Sequence, residues 1–444
     1  MRGRISRRGA LLAPLVPMLA LGGCSYLEGI FETNKPPVPG KRISVMAVSR
    51  GLEIAKPPRR VVLPAPSANA DWPQSGGVPT HDMGHPALRD TLAAAWHADI
   101  GAGGGYRQKI TAQPLIDGGR VLVMDSGAVV TAFEASGGRR LWRTDTEDED
   151  NRSTNVGGGM GIDGGVVYAV TGRADLLAIE AASGKIVWRV KLPAGARSSP
   201  TIAEGRIFVL TIDNQLLALS TKDGSKIWSH QAPTADAAVL GLPAPAYLDG
   251  IVVAGFGSGD LVAMRAGTGT VAWADSIASP RGRNSISDLS SIRGRPVIKD
   301  GQVYAVGLGG LLVALDLRTG RRVWEREVTS SESPWVAGDW LFLLTTDEQV
   351  VAVARADGGI AWVTQLDPFE DMKKSRDALR WIGPVLAGDR LVVGSTNGRA
   401  LAISPYTGEI LGEQALPGAA SLAPSIAGGT LYVLSDDATL TAFR

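Results

Sequence analysis

The histidines of this 444-residue chain offer little machinery for chemistry. His81 and His85 are four residues apart, a spacing that would chelate a metal from one face of a helix. Pro79 and Pro86 flank them, however, and favour a loop in which each histidine makes an ordinary loop contact. The chain has only four histidines, and no Ser-His-Asp or Cys-His arrangement suggests a nucleophile with its base. We therefore expect neither a catalytic centre nor a metal site.

Two other segments have the composition of ligand loops but not the pattern. The acidic run at 145–150 lacks the alternation and the terminal glutamate of a calcium loop, so it is better explained as a solvated loop. The glycine-rich run at 157–161 would cradle a phosphate only if a helix followed, and a strand pattern follows instead. Neither segment predicts a cofactor.

The single cysteine, Cys24, follows a basic N-terminus and a short apolar run at 10–21. That run is too short for a permanent membrane span, and Leu21-Gly22-Gly23-Cys24 has the small residues of a cleavage site. The segment resembles a bacterial lipoprotein signal, in which cleavage precedes the cysteine and lipid is attached to it. By the same resemblance, Ser25 points to the outer membrane. We predict a signal peptide at 1–23 and a stable anchor of several acyl chains on Cys24.

A unit of 28 residues recurs along most of the chain with fixed internal spacing. In one copy, Pro114 is followed after 18 residues by Ala132 and after ten more by Trp142, which closes a Gly-x-x-x-Trp pattern. Later copies keep this register, except that Met160 takes the proline place once and Gly412 takes the tryptophan place once. The tryptophans at this position are Trp96, Trp142, Trp188, Trp228, Trp273, Trp324 and Trp362. Repeats of about forty residues indicate a solenoid, propeller or array.

Each repeat contains four short runs with the pattern of strands, separated by turns, as residues 199–231 illustrate. Four antiparallel strands per repeat predict the blade of a β-propeller, in which the alanine permits close blade packing and the tryptophan fills the interface. The last repeat stops two residues after Ala442 without a tryptophan strand, whereas Trp96 has no repeat before it. We therefore predict an all-β, eight-bladed propeller whose ring is closed by the Trp96 strand pairing with the C-terminal strands.

All variation in repeat length falls in the connection from each tryptophan to the next proline, which spans 10 to 23 residues. In a propeller these connections emerge on one face, so one face is decorated and is the expected binding surface. Residues 71–444 are assigned to the propeller. Residues 24–70 are rich in proline and charge, which predicts a flexible tether between lipid and propeller.

The composition argues against a nucleic-acid partner. The chain has 45 basic and 44 acidic residues, so its net charge nearly vanishes and provides no field for nucleic acid. With one cysteine, no disulfide can form within the chain. Stability must come from blade packing and ring closure.

The Ala and Gly-x-x-x-Trp spacing, cleanest in residues 183–188 and 319–324, resembles the repeat of two quinoprotein-type propeller families. One is the pyrroloquinoline-quinone alcohol dehydrogenases, which require a disulfide of adjacent cysteines and a calcium ion. The other is the BamB-type lipoproteins of the outer-membrane barrel-assembly machinery, which are non-catalytic scaffolds. The second resemblance also accounts for Cys24 and for the length of the chain. It implies no cofactor, a position in the periplasm at the outer membrane, and a role in folding and inserting β-barrel proteins.

The same resemblance implies partners and contact residues. The partners are the barrel-forming BamA-type subunit, other lipoproteins of the complex and unfolded outer-membrane proteins. Two neighbouring interblade loops would dock, which correspond here to the 228–245 and 273–296 connections. The residues carried onto them are Val239, Leu240 and Leu242 as apolar contacts, with Asp288 and Arg293 as polar contacts. Two alternatives stay open: a quinone-dependent dehydrogenase, and a lectin-like or sensor propeller that binds a ligand in its central channel.

Overall fold

The structure is a computed structural model that describes residues 52–105, 108–148, 154–196, 198–234, 241, 243–277 and 291–444. These residues form eight four-stranded antiparallel sheets, here called blades 1 to 8, and one additional two-stranded hairpin. The described residues contain no α-helix, and none of their segments is a helix long and apolar enough to cross a bilayer. The predicted eight-bladed, all-β propeller is confirmed.

The strands are numbered in chain order, and those of the first four blades have the following bounds. Blade 1 contains β2 (Leu115–Asp117), β3 (Arg120–Met124), β4 (Val130–Glu134) and β5 (Arg140–Thr144); blade 2 contains β6 (Gly158–Asp163), β7 (Val166–Thr171), β8 (Asp175–Glu180) and β9 (Ile186–Lys191). Blade 3 contains β10 (Thr201–Ala203), β11 (Arg206–Leu210), β12 (Gln215–Ser220) and β13 (Lys226–Gln231); blade 4 contains β14 (Ala246–Leu248), β15 (Ile251–Gly255), β16 (Asp260–Arg265) and β17 (Val271–Ser276).

The remaining blades follow the same order. Blade 5 contains β18 (Val297–Lys299), β19 (Gln302–Val306), β20 (Leu311–Asp316) and β21 (Arg322–Glu327); blade 6 contains β22 (Trp335–Ala337), β23 (Trp340–Leu344), β24 (Gln349–Ala354) and β25 (Ile360–Gln365). Blade 7 contains β28 (Trp381–Leu386), β29 (Leu391–Ser395), β30 (Arg399–Ile403) and β31 (Ile410–Ala415); blade 8 contains β32 (Ser425–Ala427), β33 (Thr430–Leu434), β34 (Thr439–Phe443) and β1 (Ala94–Asp99). The hairpin β26 (Phe369–Asp371) and β27 (Arg376–Ala378) lies between blades 6 and 7.

Blade 8 closes the ring with strands from both ends of the propeller. β1 is antiparallel to β34, and Trp96 lies opposite Ala442. Two backbone hydrogen bonds extend the pairing, because Ala93 N–H donates to the Arg444 carbonyl at 2.8 Å and Arg444 N–H donates to the Ala93 carbonyl at 2.9 Å. This pairing is the closure that the unmatched first and last strands predicted. Because β1 and β34 pair with each other, the edges that they share are not exposed to another chain.

The core of the molecule lies between adjacent blades and repeats around the ring. Within a blade, each tryptophan of an outer strand faces the repeat alanine of the third strand, as Trp228 faces Ala218. The indole then reaches the next blade: Trp228 Nε1–H donates to the Ala266 carbonyl at 2.8 Å, and its ring lies against Gly269. Because Gly269 has a φ of +72° and no side chain, it permits this close approach.

The same contact recurs at seven interfaces. The tryptophan of one blade and the glycine of the next form the pairs Trp96–Gly138, Trp142–Gly184, Trp188–Gly224, Trp228–Gly269, Trp273–Gly320, Trp324–Gly358 and Trp362–Gly408. The glycine and the tryptophan of one Gly-x-x-x-Trp pattern thus serve two different interfaces. Through this pattern, a blade contacts both of its neighbours in the ring.

The segment 69–86, here called the plug, lies across the ring at the face opposite the long connections and bonds to the inner part of all eight blades. Backbone hydrogen bonds join it to six blades, through Ile116, Ile162, Tyr247, Ile298, Gly388 and Gly428. The other two blades are joined by side chains: Gln74 bonds to the backbone of Ile202, and the Trp335 indole N–H donates to the Gly84 carbonyl. At its centre Trp72 is fully buried and stacks on Trp335 with ring centroids 6.2 Å apart.

Residues 52–70 correct the predicted tether, because the described part of it packs on the propeller. Ala55 N–H donates to the Ile360 carbonyl at 2.9 Å, and Arg59 forms a two-pronged ion pair with Asp357 at 2.7 Å. Val61 is buried. Proline and charge predicted an unfolded segment, but an extended chain with no core of its own finds partners on blade 6. The rest of the tether and the signal peptide lie outside the described residues.

Candidate docking face

The connections between blades form one face of the propeller, here called the loop face. They are held by backbone hydrogen bonds to the turns between the second and third strands. Ala232 N–H donates to the Asn214 carbonyl at 3.0 Å and Ile277 N–H donates to the Gly259 carbonyl at 3.0 Å as the chain leaves blades 3 and 4. Ile292 N–H donates to the Phe256 carbonyl at 3.1 Å as the chain returns. The ends of each connection are therefore fixed by the ring, and the loop face is decorated as the repeat lengths predicted.

The two connections predicted to dock a partner meet on this face. Arg293 is exposed, and a Cβ added to Gly241 would lie 3.4 Å from Arg293 Nε. Gly241 has a φ of +88°, a backbone conformation that favours glycine, at the point where the first connection approaches the second. Of the predicted contact residues, the structure describes only Arg293. Val239, Leu240, Leu242 and Asp288 lie outside the described residues.

A charged cluster that the sequence did not indicate lies beside Arg293. A cavity of about 120 Å³ is lined by Arg293, Glu332, Glu348, Arg380 and Trp381, among others. The Trp381 backbone N–H donates to Glu348 Oε2 at 3.1 Å. Burial raises the pKa of Glu348 to about 7, although this N–H and the charge of Arg380 act in the opposite direction. Trp381 begins β28, Glu348 lies in the β23–β24 turn, and the other charged side chains come from interblade connections, so no single repeat position marks the cluster.

The plug bears on the alternative of a ligand in the central channel. Trp72 and Gln74 are buried where the plug crosses the ring, and Gln74 bonds to Ile202 in both directions at 2.8 and 3.0 Å. His81 and His85 belong to this segment and bond to different backbone carbonyls. His81 Nδ1 lies 2.7 Å from the Pro296 carbonyl, whereas His85 contacts the carbonyls of Pro64 and Gly388 at 2.7 and 2.6 Å. Both histidines thus fix the plug to the ring.

The chain carries few of the groups that a quinone enzyme needs. Cys24 is its only cysteine, so the adjacent-cysteine disulfide of the dehydrogenases cannot form within it. In the described part of the chain, no three residues among His, Cys, Asp and Glu are grouped so that they could hold a metal ion. Cys24 itself lies outside the described residues.

Comparison with known proteins identifies relatives of the whole propeller. A family model described as "Outer membrane protein assembly factor BamB" matches residues 83–155, 126–364 and 365–444. The outer membrane protein assembly factor BamB of Yersinia pestis is 28% identical over 355 residues, which cover 78% of this chain and 88% of the relative. The corresponding protein of Salmonella typhimurium is 29% identical over 358 residues, which cover 79% and 88%.

Solved structures share the fold. The crystal structure of BamB from Moraxella catarrhalis aligns with a TM-score of 0.68 at 23% identity and covers 80% of this chain and all of that one. A europium-containing methanol dehydrogenase aligns with a TM-score of 0.69 at 12% identity and covers 84% of this chain and 98% of that one. At these identities the two structures show the propeller architecture alone.

Proposed function

This chain belongs to the family of the outer membrane protein assembly factor BamB, and from that premise we propose that it is a non-catalytic, lipid-anchored subunit of the machinery that folds and inserts outer-membrane β-barrel proteins. Cys24 carries the lipid, and the propeller lies in the periplasm. The barrel-forming BamA-type subunit binds the loop face. Other lipoproteins of the complex and unfolded outer-membrane proteins are further partners, and nucleic acid is not a partner.

The observation that carries this proposal is the family match, which reaches from residue 83 to residue 444 and so includes every blade. A scaffold also needs a rigid surface that carries variable loops, and the loop face has that construction. The backbone bonds at Ala232, Ile277 and Ile292 hold the start of the 228–245 connection and both ends of the 273–296 connection on the ring. A partner would meet a surface whose supports are already ordered, which lowers the entropic cost of binding.

Arg293 is the described residue best placed to contact the barrel-forming subunit. It is exposed, and it lies beside Gly241, whose neighbours in sequence are Leu240 and Leu242. Arginine is among the residues that dominate binding energy at protein interfaces, because its planar guanidinium both stacks and forms hydrogen bonds. The pair of connections thus supplies the apolar and polar contacts that the docking proposal requires.

Co-purification with the barrel-forming subunit tests the docking face. We expect Arg293→Glu to reduce capture of that subunit from detergent-solubilised outer membrane at least tenfold, and Leu240→Asp with Asp288→Lys to abolish it. Arg318→Glu is the matched control, because Arg318 is exposed in the β20–β21 turn, at the opposite end of its blade. Undiminished capture by both loop variants would contradict this face. Loss of capture in Arg318→Glu alone would place the docking surface on the face opposite the loop face.

Separate experiments test the anchor and the absence of catalysis. Cys24→Ser should release the protein from the membrane fraction and remove the acyl mass from its N-terminus. Retention in the outer membrane with an unmodified N-terminus would contradict the anchor. For the enzymatic alternative, purified protein supplied with pyrroloquinoline quinone, calcium and alcohols should reduce no dye; reduction at a steady rate would favour a dehydrogenase.

A further inference from the structure

The interface between blades 7 and 8 lacks the tryptophan that fills the other seven. Gly412 of β31 occupies its place opposite Ala402, and a Cβ added to Gly412 would have no neighbour within 4 Å. A cavity of about 470 Å³ opens there, with Val392, Leu401 and Phe443 among the residues in its walls. A buried cavity of about 150 Å³ lined by aliphatic side chains is enough to bind benzene. The missing indole leaves room for an aromatic ring.

The facing side of this interface has also changed, without filling the space. At the other interfaces the tryptophan covers a glycine four residues before the next tryptophan position, as Trp96 covers Gly138 four residues before Trp142. The residue four before Trp96 is Leu92, which lines the cavity. At this interface leucine stands in the glycine position and Gly412 stands in the tryptophan position. No atom of Leu92 lies within 4 Å of a Cβ added to Gly412. The interface keeps apolar walls and an open centre.

The hydrogen bond of the missing indole has been replaced. At six other interfaces, the indole N–H donates to the carbonyl seven residues before the next tryptophan, as Trp142 donates to Ala181, which precedes Trp188. The equivalent carbonyl at the eighth interface belongs to Arg89, and the Arg390 guanidinium donates to it and to the Asp90 carbonyl. Because this acceptor is already satisfied, an incoming ring needs no N–H donor. A phenyl or phenol ring meets the requirement as well as an indole.

The cavity opens along a free strand edge. β31 is the outer strand of blade 7 and, among the described strands, pairs only with β30. All six of its residues are exposed, whereas the outer strands with a tryptophan bury or half-bury that position. An extended chain that pairs with β31 would direct the side chain opposite Gly412 toward blade 8, since directly opposite residues point to the same face. Gly412 carries no side chain that would block that path.

From these relationships we propose that the cleft between blades 7 and 8 binds an extended polypeptide that adds to the edge of β31 and inserts one aromatic side chain beside Gly412. The bound ring lies beside Gly412, on the side of the outer strand where the other seven interfaces have a tryptophan of this chain. Strand addition supplies main-chain hydrogen bonds, and the cavity selects the aromatic residue. This binding site is independent of the docking face proposed above, so a failure of one leaves the other intact.

Two synthetic peptides test the proposal: a ten-residue strand of alternating threonine and valine with one central tyrosine, and the same peptide with alanine in its place. Measured by calorimetry, the tyrosine peptide should bind at least tenfold more tightly than the alanine peptide. Gly412→Trp should place an indole in the cleft and abolish binding. Val187→Trp is the matched control, because it adds an exposed tryptophan to β9 at an interface already filled by Trp188; it should bind as the wild type does.

Hydrogen exchange on the wild-type chain gives a readout that depends on no variant. The tyrosine peptide should slow exchange of the β31 amides, and the alanine peptide should not. Equal affinity of the two peptides, or wild-type binding by Gly412→Trp, would overturn the proposal. If p-cresol binds the cleft but the tyrosine peptide leaves the β31 amides unprotected, strand addition is wrong. Arg293→Glu should bind the tyrosine peptide normally, which separates this site from the docking face.

Discussion

Trp273 of blade 4 covers Gly320 of blade 5 so closely that a Cβ added to the glycine would lie 2.6 Å from Trp273 Cγ. The indole N–H of the same tryptophan donates to the Leu317 carbonyl at 2.7 Å, three residues before that glycine. One side chain thus fixes the turn of the next blade through packing and through a hydrogen bond. Seven tryptophan–glycine contacts of this kind follow one another around the ring, and six of them include the hydrogen bond.

Replacing Gly320 with alanine should destabilise the protein more than its backbone conformation alone requires. Gly320 has a φ of +70°, which costs an alanine about 1–2 kcal/mol. The new methyl would also overlap the indole of Trp273, and such overpacking costs about 1–3 kcal/mol. Gly301→Ala is the control, because Gly301 has a φ of +72° in the same blade and nothing within 4 Å of an added Cβ. In urea unfolding, Gly320→Ala should have a lower free energy of unfolding than Gly301→Ala. Equal values would show that the indole is packed loosely enough to accommodate the methyl group.

The indole hydrogen bond has a separate contribution that two phenylalanine substitutions can isolate. Trp273 and Trp72 are both buried, but Trp72 Nε1 has no hydrogen-bond partner among the described residues. Trp273→Phe leaves the Leu317 carbonyl without its donor, whereas Trp72→Phe removes an unpaired N–H. We expect Trp273→Phe to lower the free energy of unfolding by about 1–2 kcal/mol more than Trp72→Phe. The opposite order would indicate that the plug, and not the interface, depends on its indole.

The repeat predicted the ring because its spacing follows from contacts within one blade. The pairing of Ala218 with Trp228 is local, so a constant separation in sequence reports it. The contact of Trp228 with Gly269 joins two repeats. From the spacing alone, the glycine could equally have served only the turn of its own repeat. Gly412 showed that one interface lacks its tryptophan, but the size of the cavity also depends on Leu92, which precedes the first repeat.

The plug and the candidate docking face were harder to predict for a different physical reason. The plug bonds to the ring largely through backbone groups, as Trp72 does to Ile116, and backbone bonds leave no residue pattern. Pro79 and Pro86 predicted a loop around the two histidines but not its position across the ring. On the loop face, Arg293 was predicted by resemblance, whereas Glu348 belongs to a turn that varies from blade to blade. Differences in sequence between blades suit such loops to binding. The same differences leave no repeating residue pattern from which the site could be predicted.

His81 should make stability depend on pH. Burial, with the charge of Arg295 nearby, lowers the pKa of His81 to about 3. The unfolded chain therefore binds a proton more readily than the folded one. Protonation of His81 in the unfolded chain does not lower the free energy of unfolding above about pH 6.5, and it lowers it progressively as the pH falls toward 3. Between pH 7.5 and pH 5 it should reduce the free energy of unfolding by about 2 kcal/mol.

Urea unfolding of His81→Asn at the two pH values checks this linkage. Asparagine tolerates the φ of +61° at this position, so the variant should fold and lose most of this pH dependence. His97→Asn is the control, because His97 is exposed on β1. A variant that keeps the full pH dependence would show that other groups cause it.

Closure of the ring by β1 and β34 should be indispensable, in contrast to the hairpin between blades 6 and 7. Removing residues 439–444 takes away β34 and the partners of Trp96, so β1 and β33 both become open edges. We expect this truncation to aggregate or to lose its near-ultraviolet circular dichroism. As the matched deletion, residues 369–378 can be replaced by Asn-Gly, since Pro368 and Leu379 already share a hydrogen bond of 2.9 Å. That variant should elute as a folded monomer. A monomeric, cooperatively unfolding truncation would show that the ring holds without its closing pair.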